Sequence, residues 1–503
     1  MISRGILLGS LAALAAAGSA AGLLAQERGP GGTRGAVLEH HGGTRRDGVY
    51  VDATLTRAAA AAFHLDPSFR AAVAGAIYAQ PLYVPGPRGP DLVIAATEQN
   101  NVSAFDARTG ATVWTRHLAD AVPISRLPCG NIDPLGITGT PVADPQTRTL
   151  YLDAMTTPDG GATKRHLVFA LSLDDGSTRP GWPLAVAGLL RRRGVTFEDA
   201  AQNQRGALAL AGGMLYVPFG GHYGDCGNYR GIVLAIPVAN PPEATAWITG
   251  ARGGGIWAPS GVAVSDGQLF AATGNTFGAS AWSGGEGILR FRVGVPLGSK
   301  LDDWFAPANW RELDEGDVDL GGTGPVVVDV PGATPSRLVV GLGKDGKIYV
   351  LDRERLGGFG GHVAVEEVSA GAIINAAAAY STARGTYVVF RGEGKGCPIG
   401  QSGDLTAVRI AAASPPSVKV AWCARLRGRG SPMVTTTGAR GEAIVWGVGA
   451  EGDDRLRAFD GDTGEVVYTQ REGLGGVRRF QTPILAGGRI FVAVEGGVKA
   501  FAR

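Results

Sequence analysis

Short runs of apolar and β-branched residues recur along this chain, each bounded by Gly, Pro or Asp. Arg489-Ile490-Phe491-Val492-Ala493-Val494 is typical. Runs of this length between turn residues predict the strands of an all-β protein. Only Leu55–Phe69, with Ala58 to Ala62 inside it, predicts a helix. One cassette organises the strands. It opens on a small residue or Pro and an apolar run, turns into a second run, and reaches a third that ends in a form of Ala-Phe-Asp-x-x-Thr-Gly. A fourth run often closes on an aromatic. The clearest copies are Ala104 to Gly110 before Trp114 and Ala458 to Gly464 before Tyr468. Weaker copies are Ala170 to Gly176 before Trp182 and Leu234 to Asn240 before Trp247.

The cassette openings fall at Pro81, Pro141, Gly206, Pro259, Pro325, Asn375, Pro432 and Pro483, spaced 60, 65, 53, 66, 50, 57 and 51 residues apart. A repeated unit of four short strands is what a propeller blade requires. A lone four-stranded sheet covers neither of its faces, whereas a ring gives every sheet two neighbours. The pattern therefore predicts an all-β, eight-bladed β-propeller of four-stranded antiparallel blades. After Pro483 there is room for only three strands, at 483–487, 489–495 and 498–502. The fourth must come from the N-terminal side, with Phe69–Tyr78 the expected donor. No composition break divides residues 69–503, which read as one propeller domain behind an N-terminal extension over 26–68.

Residues 1–25 carry Arg4 and then an uncharged, Leu- and Ala-rich run from Gly5 to Ala25. A basic start, an apolar middle and small residues before the first charges read as a signal peptide, hence a periplasmic or secreted protein. No later run predicts a membrane span. Lys plus Arg (47) nearly balances Asp plus Glu (45), and no basic stripe interleaves with aromatics, so nucleic acid is not an expected partner. Four cysteines suit an oxidising compartment and allow three connectivities. The expected pairs are Cys129–Cys226 and Cys397–Cys423, the second within one blade. No C-x-x-C occurs, which argues against a zinc ribbon or a thioredoxin-like site.

The Ala-x-Asp-x-x-Thr-Gly-x-x-x-Trp repeat resembles that of pyrroloquinoline quinone (PQQ) dehydrogenases and the wider quinoprotein-like propellers, over nearly the whole chain after residue 25. Ala79-Gln80-Pro81-Leu82-Tyr83-Val84 and Gly136-Ile137-Thr138-Gly139-Thr140-Pro141 are similar to exported PQQ-like repeat proteins in particular. The resemblance implies a quinone lying flat on a tryptophan over the ring axis, with calcium bound by Glu, Asn and Asp. It also implies an Asp base and an Arg or Lys at a quinone oxygen. Gly253 to Pro259 followed by Ala272 to Asn275 assigns the floor to Trp257 and a calcium ligand to Asn275. Asp317-Val318-Asp319 assigns the base to Asp317 and a second calcium ligand to Asp319. Lys344-Asp345-Gly346-Lys347 assigns the quinone-polarising cation to Lys344. The chemistry explains the set: a cation makes the quinone electrophilic, and a carboxylate removes the alcohol proton.

The departures are equally plain. No two cysteines are adjacent, and where the calcium Glu belongs the chain reads Gly220 to Cys226, with His222 or Asp225 as substitutes. No C-x-x-C-H haem signature occurs, so electrons would leave to a separate acceptor. Two functions are therefore expected from different classes. One is a PQQ- and calcium-dependent dehydrogenase of a small alcohol, polyol or sugar. The other is a non-catalytic propeller that binds a protein or glycan ligand.

Overall fold

Eight sheets surround one axis in the computed structural model, which describes Met1 and residues 35–298 and 301–503. The remainder of the expected signal peptide, after Met1, lies outside the described residues. The innermost strands of blades 1 to 8 are Leu82–Val84, Val142–Asp144, Ala209–Ala211, Ala263–Ser265, Val326–Asp329, Ala378–Thr382, Met433–Thr436 and Ile484–Ala486. The blade count is the one the cassette spacing predicts. Blade 8 contributes Ile484–Ala486, Arg489–Val494 and Gly497–Ala502 from its own cassette. His64–Leu65 and Ala71–Ala72 complete it by pairing antiparallel with Gly497–Ala502. The donor thus starts earlier than the expected Phe69–Tyr78. The expected helix shrinks to Arg57–Ala61, capped by the Thr56 hydroxyl on the Ala59 N–H at 3.3 Å. Pairing of His64 and Leu65 with Ala502 and Phe501 takes the following residues into the sheet, overriding their helical tendency.

The cassette residues have specific tasks. The Asp106 carboxylate accepts from the N–H groups of Arg108 and Thr109, both at 2.9 Å, and Asp460 does the same for Asp462 and Thr463 at 2.8 and 2.9 Å. The glycine that follows, Gly464, has φ +75° and faces the Trp422 ring, where a β-carbon would stand 2.7 Å from ring carbon Cε3. Trp422 closes blade 6 and donates its indole N–H to Gly461 of blade 7 at 2.8 Å. Trp114 of blade 1 likewise donates to Leu173 of blade 2 at 3.0 Å. Asp builds the turn, Gly leaves the opening, and the neighbouring blade's Trp fills it.

The lead-in segments of the innermost strands are hydrogen-bonded from blade to blade. The Gln80 N–H donates to the Thr140 hydroxyl at 2.9 Å, the Leu208 N–H to the Thr140 carbonyl at 3.1 Å, and the Ala207 N–H to Pro259 at 3.1 Å. On the other side the Ala376 N–H meets the Ser431 hydroxyl at 3.2 Å, and the Ser431 N–H meets Gln481 at 2.9 Å. The Gln481 amide then reaches Ala79 of blade 1 at 3.2 Å.

Residues 37–51, within the stretch read as an extension, run across the inner edges of the blades. Val37 pairs with Tyr83, and the Leu38 carbonyl accepts from Ala143. Thr44, Arg45, Asp47 and Gly48 then accept from Val264, Val327, Ala379 and Val434 in turn. Val49–Val51 finishes the course as a strand parallel to Val434–Thr436 of blade 7. At its centre Arg46 is fully buried and donates to the carbonyls of Val262 (2.9 Å), Leu208 (2.8 Å) and His40 (2.9 Å) and to the Glu39 carboxylate (3.0 Å).

Both expected disulfides are formed. Cys129–Cys226 ties the loop before blade 2 to a loop of blade 3, and Cys397–Cys423 lies within blade 6. Among the described residues no helix is long and apolar enough to cross a membrane.

Arg46→Met should destabilise the protein by about 3–5 kcal/mol, because it leaves Glu39 and several buried carbonyls without a partner. Chemical denaturation of the two proteins checks this; equal midpoints would show that the axial segment contributes nothing to the ring.

Candidate functional site

The innermost strands begin, and the second strands end, at the same end of the ring. The sequence-assigned residues sit there, on blades 4 and 5. Trp257 precedes the innermost strand of blade 4, and Asn275 follows its second strand, Gln268–Thr273. Asp317 and Asp319 precede the innermost strand of blade 5, and Lys344 follows its second strand, Arg337–Leu342.

Glycine brings these segments close. Gly253 and Gly254 have φ +85° and +67°, a region that disfavours other residues. The Gly254 N–H donates to the Asn275 carbonyl at 2.6 Å, and the Gly274 N–H to Gly255 at 3.0 Å, so the two segments are stitched together. A β-carbon on Gly274 would collide with the Asp319 carboxylate and stand 3.1 Å from Trp257 Nε1. The indole and the carboxylate thus flank the same glycine.

Asp319 is 3% exposed and is the hub of the cluster. Its Oδ1 accepts from the Asn275 N–H at 2.6 Å, and its Oδ2 from Lys344 Nζ at 2.6 Å. Lys344 Nζ also reaches the Asp317 carboxylate at 2.7 Å and the Asp317 carbonyl at 3.1 Å. The ammonium lies 5.7 Å from the centre of the Trp257 ring. Burial alone would lower the Lys344 pKa, but the carboxylates of Asp319 and Asp317 outweigh it and hold the ammonium above its ordinary range. Asp317 is mostly exposed and has φ +52°. The five sequence-assigned residues therefore share one cluster.

Two further carboxyl groups belong to it that the sequence did not mark. Glu286 is fully buried; one oxygen accepts from the Leu320 N–H at 2.6 Å, while the other has no protein partner. Burial, reinforced by the neighbouring Asp319 charge, pushes it up to about 10, so it is neutral at physiological pH. Asp314 accepts from the backbone N–H of Thr276 at 2.5 Å and from its hydroxyl at 2.9 Å. In the sequence Asp314 looks like part of a solvated acidic loop, and Glu286 has no signal beyond its glycine neighbours. Only the approach of blade 5 to blade 4 turns them inward.

The suggested substitutes for a third metal ligand are committed elsewhere. His222 is buried, with Nε2 3.1 Å from the Ala200 carbonyl, and desolvation lowers it to about 4. The Asp225 carboxylate accepts from the Tyr229 hydroxyl at 2.5 Å. Among the described residues no three His, Cys, Asp or Glu side chains are arranged to hold a metal by themselves. Among the described residues the hydrogen bonds of Asn275 are made by its backbone N–H and carbonyl, not by its side-chain amide. A cavity of about 390 Å³ lies at the other end of blade 4, lined by Asp266, Arg290, Arg292 and Asp302, and takes no part in this cluster.

No protein-family profile matches the chain, and no curated protein matches it. Solved structures do. A quinohemoprotein alcohol dehydrogenase from Comamonas testosteroni superposes with a TM-score of 0.63 at 14% identity, covering 93% of this chain and 80% of that one. A europium-containing methanol dehydrogenase superposes with a TM-score of 0.64 at 15% identity, covering 92% and 90%. BamB from Moraxella catarrhalis gives 0.50 at 13% identity, covering 88% and 98%. At these identities the likeness establishes the β-propeller fold alone.

Gly274→Ala should destabilise the protein by about 1–3 kcal/mol, as an added methyl in a packed site does. It should also change tryptophan fluorescence by displacing Asp319 from the Trp257 edge. Denaturation curves and emission spectra unchanged from the parent would refute the close approach.

Proposed function

We propose that this chain is an extracytoplasmic PQQ- and calcium-dependent dehydrogenase of a small alcohol, polyol or sugar. What carries the reading is the meeting of Trp257, Asn275, Asp317, Asp319 and Lys344 at one end of the ring. They come from two blades and four separate segments. The two disulfides agree with a compartment outside the cytoplasm.

The residues present fit a quinone. The partly exposed Trp257 ring offers a flat apolar face, and Lys344 supplies a positive charge beside it. For calcium the chain offers the side-chain amide oxygen of Asn275 and the Asp319 carboxylate, and water or bound ligand would complete the shell. The cofactor, when bound, supplies an electrophilic carbonyl that takes two electrons and a hydrogen from the alcohol carbon. Lys344 favours negative charge next to the ring. Asp317, exposed at the rim, is placed to receive the alcohol proton and pass it to solvent. Asp319 holds Lys344 and the Asn275 backbone in position. The substrate leaves as the carbonyl compound, and the electrons pass to a separate acceptor.

Calorimetric titration with PQQ in the presence of calcium tests the binding, and dye-linked alcohol oxidation tests the reaction. Asp317→Asn should lower kcat about 10²- to 10⁴-fold, the usual share of a general base, with PQQ affinity little changed. Lys344→Ala is a poorer probe, because it strands the buried Asp319 carboxylate. Absence of PQQ binding to the parent protein would overturn the reading in favour of a propeller that only binds a protein or glycan.

A further inference from the structure

Residues 40 and 41 of the axial segment are both histidine, and both are buried, at 2% and 0% exposure. Their rings stack, with centroids 4.4 Å apart and planes inclined by 21°. The His41 N–H donates to Gln80 Oε1 of blade 1 at 2.8 Å, and its ring Nδ1 lies 3.4 Å from the Arg46 carbonyl. The His40 carbonyl accepts from the Arg46 guanidinium at 2.9 Å. Among the described residues, His40 Nδ1 and His41 Nε2 have no hydrogen-bond partner. The turn that carries the pair is tight. His41 and Arg46 have φ +56° and +58°, a region that costs a residue with a side chain, so contacts must hold it there. A β-carbon on Gly48 would stand 3.0 Å from His41 Nδ1 and 2.9 Å from the Ala378 β-carbon, so the ring is wedged against blade 6.

The groups around the pair favour neutral rings. Arg46 is the neighbouring cation, and among the described residues its carboxylate partner is Glu39 at 3.0 Å. The blades that pack here contribute neutral groups: the Gln80 amide and the carbonyls of Leu208, Val262 and Ala377. The remaining acid of the segment, Asp47, acts on Arg45 and Tyr50. Protonating both rings would therefore set three adjacent cations against Glu39 alone. Burial first, then His41 and Arg46, hold the His40 pKa well below its ordinary value. Burial brings His41 down to about 4, although the Arg46 and Ala377 carbonyls favour its charged form.

We propose that His40 and His41 form an acid-triggered latch on the axial segment. Neutral, the stacked rings seat the segment's turn on the axis; protonated, they drive it off while the blades stay folded. Release uncovers the inner edges of blades 4 to 7, whose N–H groups Thr44, Arg45, Asp47 and Gly48 otherwise satisfy. The direction follows from linkage. A histidine depressed in the seated state takes up its proton only on release, so acid favours release from about pH 6.5 downward. Glu39 and Asp47, raised by burial, work the other way, and removing the histidines leaves their contribution in place. The two histidines together contribute roughly a 10²- to 10³-fold rise in opening between about pH 7.5 and about pH 5. None of these residues belongs to the cluster on blades 4 and 5, so the latch does not depend on the dehydrogenase reading.

Hydrogen exchange of the full chain at about pH 7.5 and about pH 5, corrected for intrinsic rates, tests this. In the parent, peptides from residues 37–51 should lose protection by roughly 10²- to 10³-fold on acidification, while Thr149–Thr156 of blade 2 stays protected. The double variant His40→Gln, His41→Gln should keep the segment protected at both pH values. His40→Gln alone, which keeps the His41 contacts, should lose about half of the acid response on a logarithmic scale. Equal protection of the segment at both pH values in the parent overturns the latch. So does a loss that spreads to Thr149–Thr156, which is unfolding of the ring, and so does a double variant that responds to acid as the parent does. Where the double variant does not fold, His40→Gln decides, and an acid response equal to the parent's overturns the proposal.

Discussion

Every propeller turns the free edges of its innermost strands toward its own axis, where backbone N–H and C=O groups need partners. In this chain a single segment, residues 37–51, supplies partners to most of those edges in succession. An exposed edge is also a template for unwanted pairing, so covering it removes two liabilities together. Arg46 makes the arrangement possible. Its five donors reach carbonyls of blades 3 and 4 while pairing with Glu39, so the turn of the segment is held from within. The girdle of lead-in residues above it works on the same principle, with the hydroxyls of Thr140 and Ser431 taking N–H groups from the preceding blade.

The cluster on blades 4 and 5 depends on that frame. Asp319, Lys344 and Trp257 come within bonding range because Gly253, Gly254 and Gly274 allow backbone to approach backbone. With larger residues there, blade 5 could not bring its carboxylates against the edge of the indole. Electrostatics then sorts the acids. Glu286, sealed away beside Asp319, is pushed up by its burial, while Asp317 lies at the exposed rim, paired with Lys344.

The fold was legible because its information is local and repeated. Asp106 and Asp460 form the same turn, and each closing Trp finds its glycine one blade further on. The five candidate residues that meet on blades 4 and 5 were picked out through resemblance, which preserves their distance from the repeat. The axial segment was not, because residues 37–51 lack the apolar alternation of a blade strand; their contacts are made by backbone atoms that no side-chain pattern announces.

The axial segment and the strands of blade 8 have a consequence for how the molecule is assembled. Asp66 and Arg489 form an ion pair across 423 positions of sequence, and the Arg57 N–H meets Glu442 across 385. Such contacts give the ring a high contact order, and long-range closure of this kind slows folding. Blades 2 to 7 can form from neighbouring hairpins as the chain lengthens. His64–Leu65 and Ala71–Ala72, though made early, have no docking surface until Gly497–Ala502 exists. Synthesis therefore runs ahead of assembly at the very end that completes the ring, and these two short strands spend that interval unpaired.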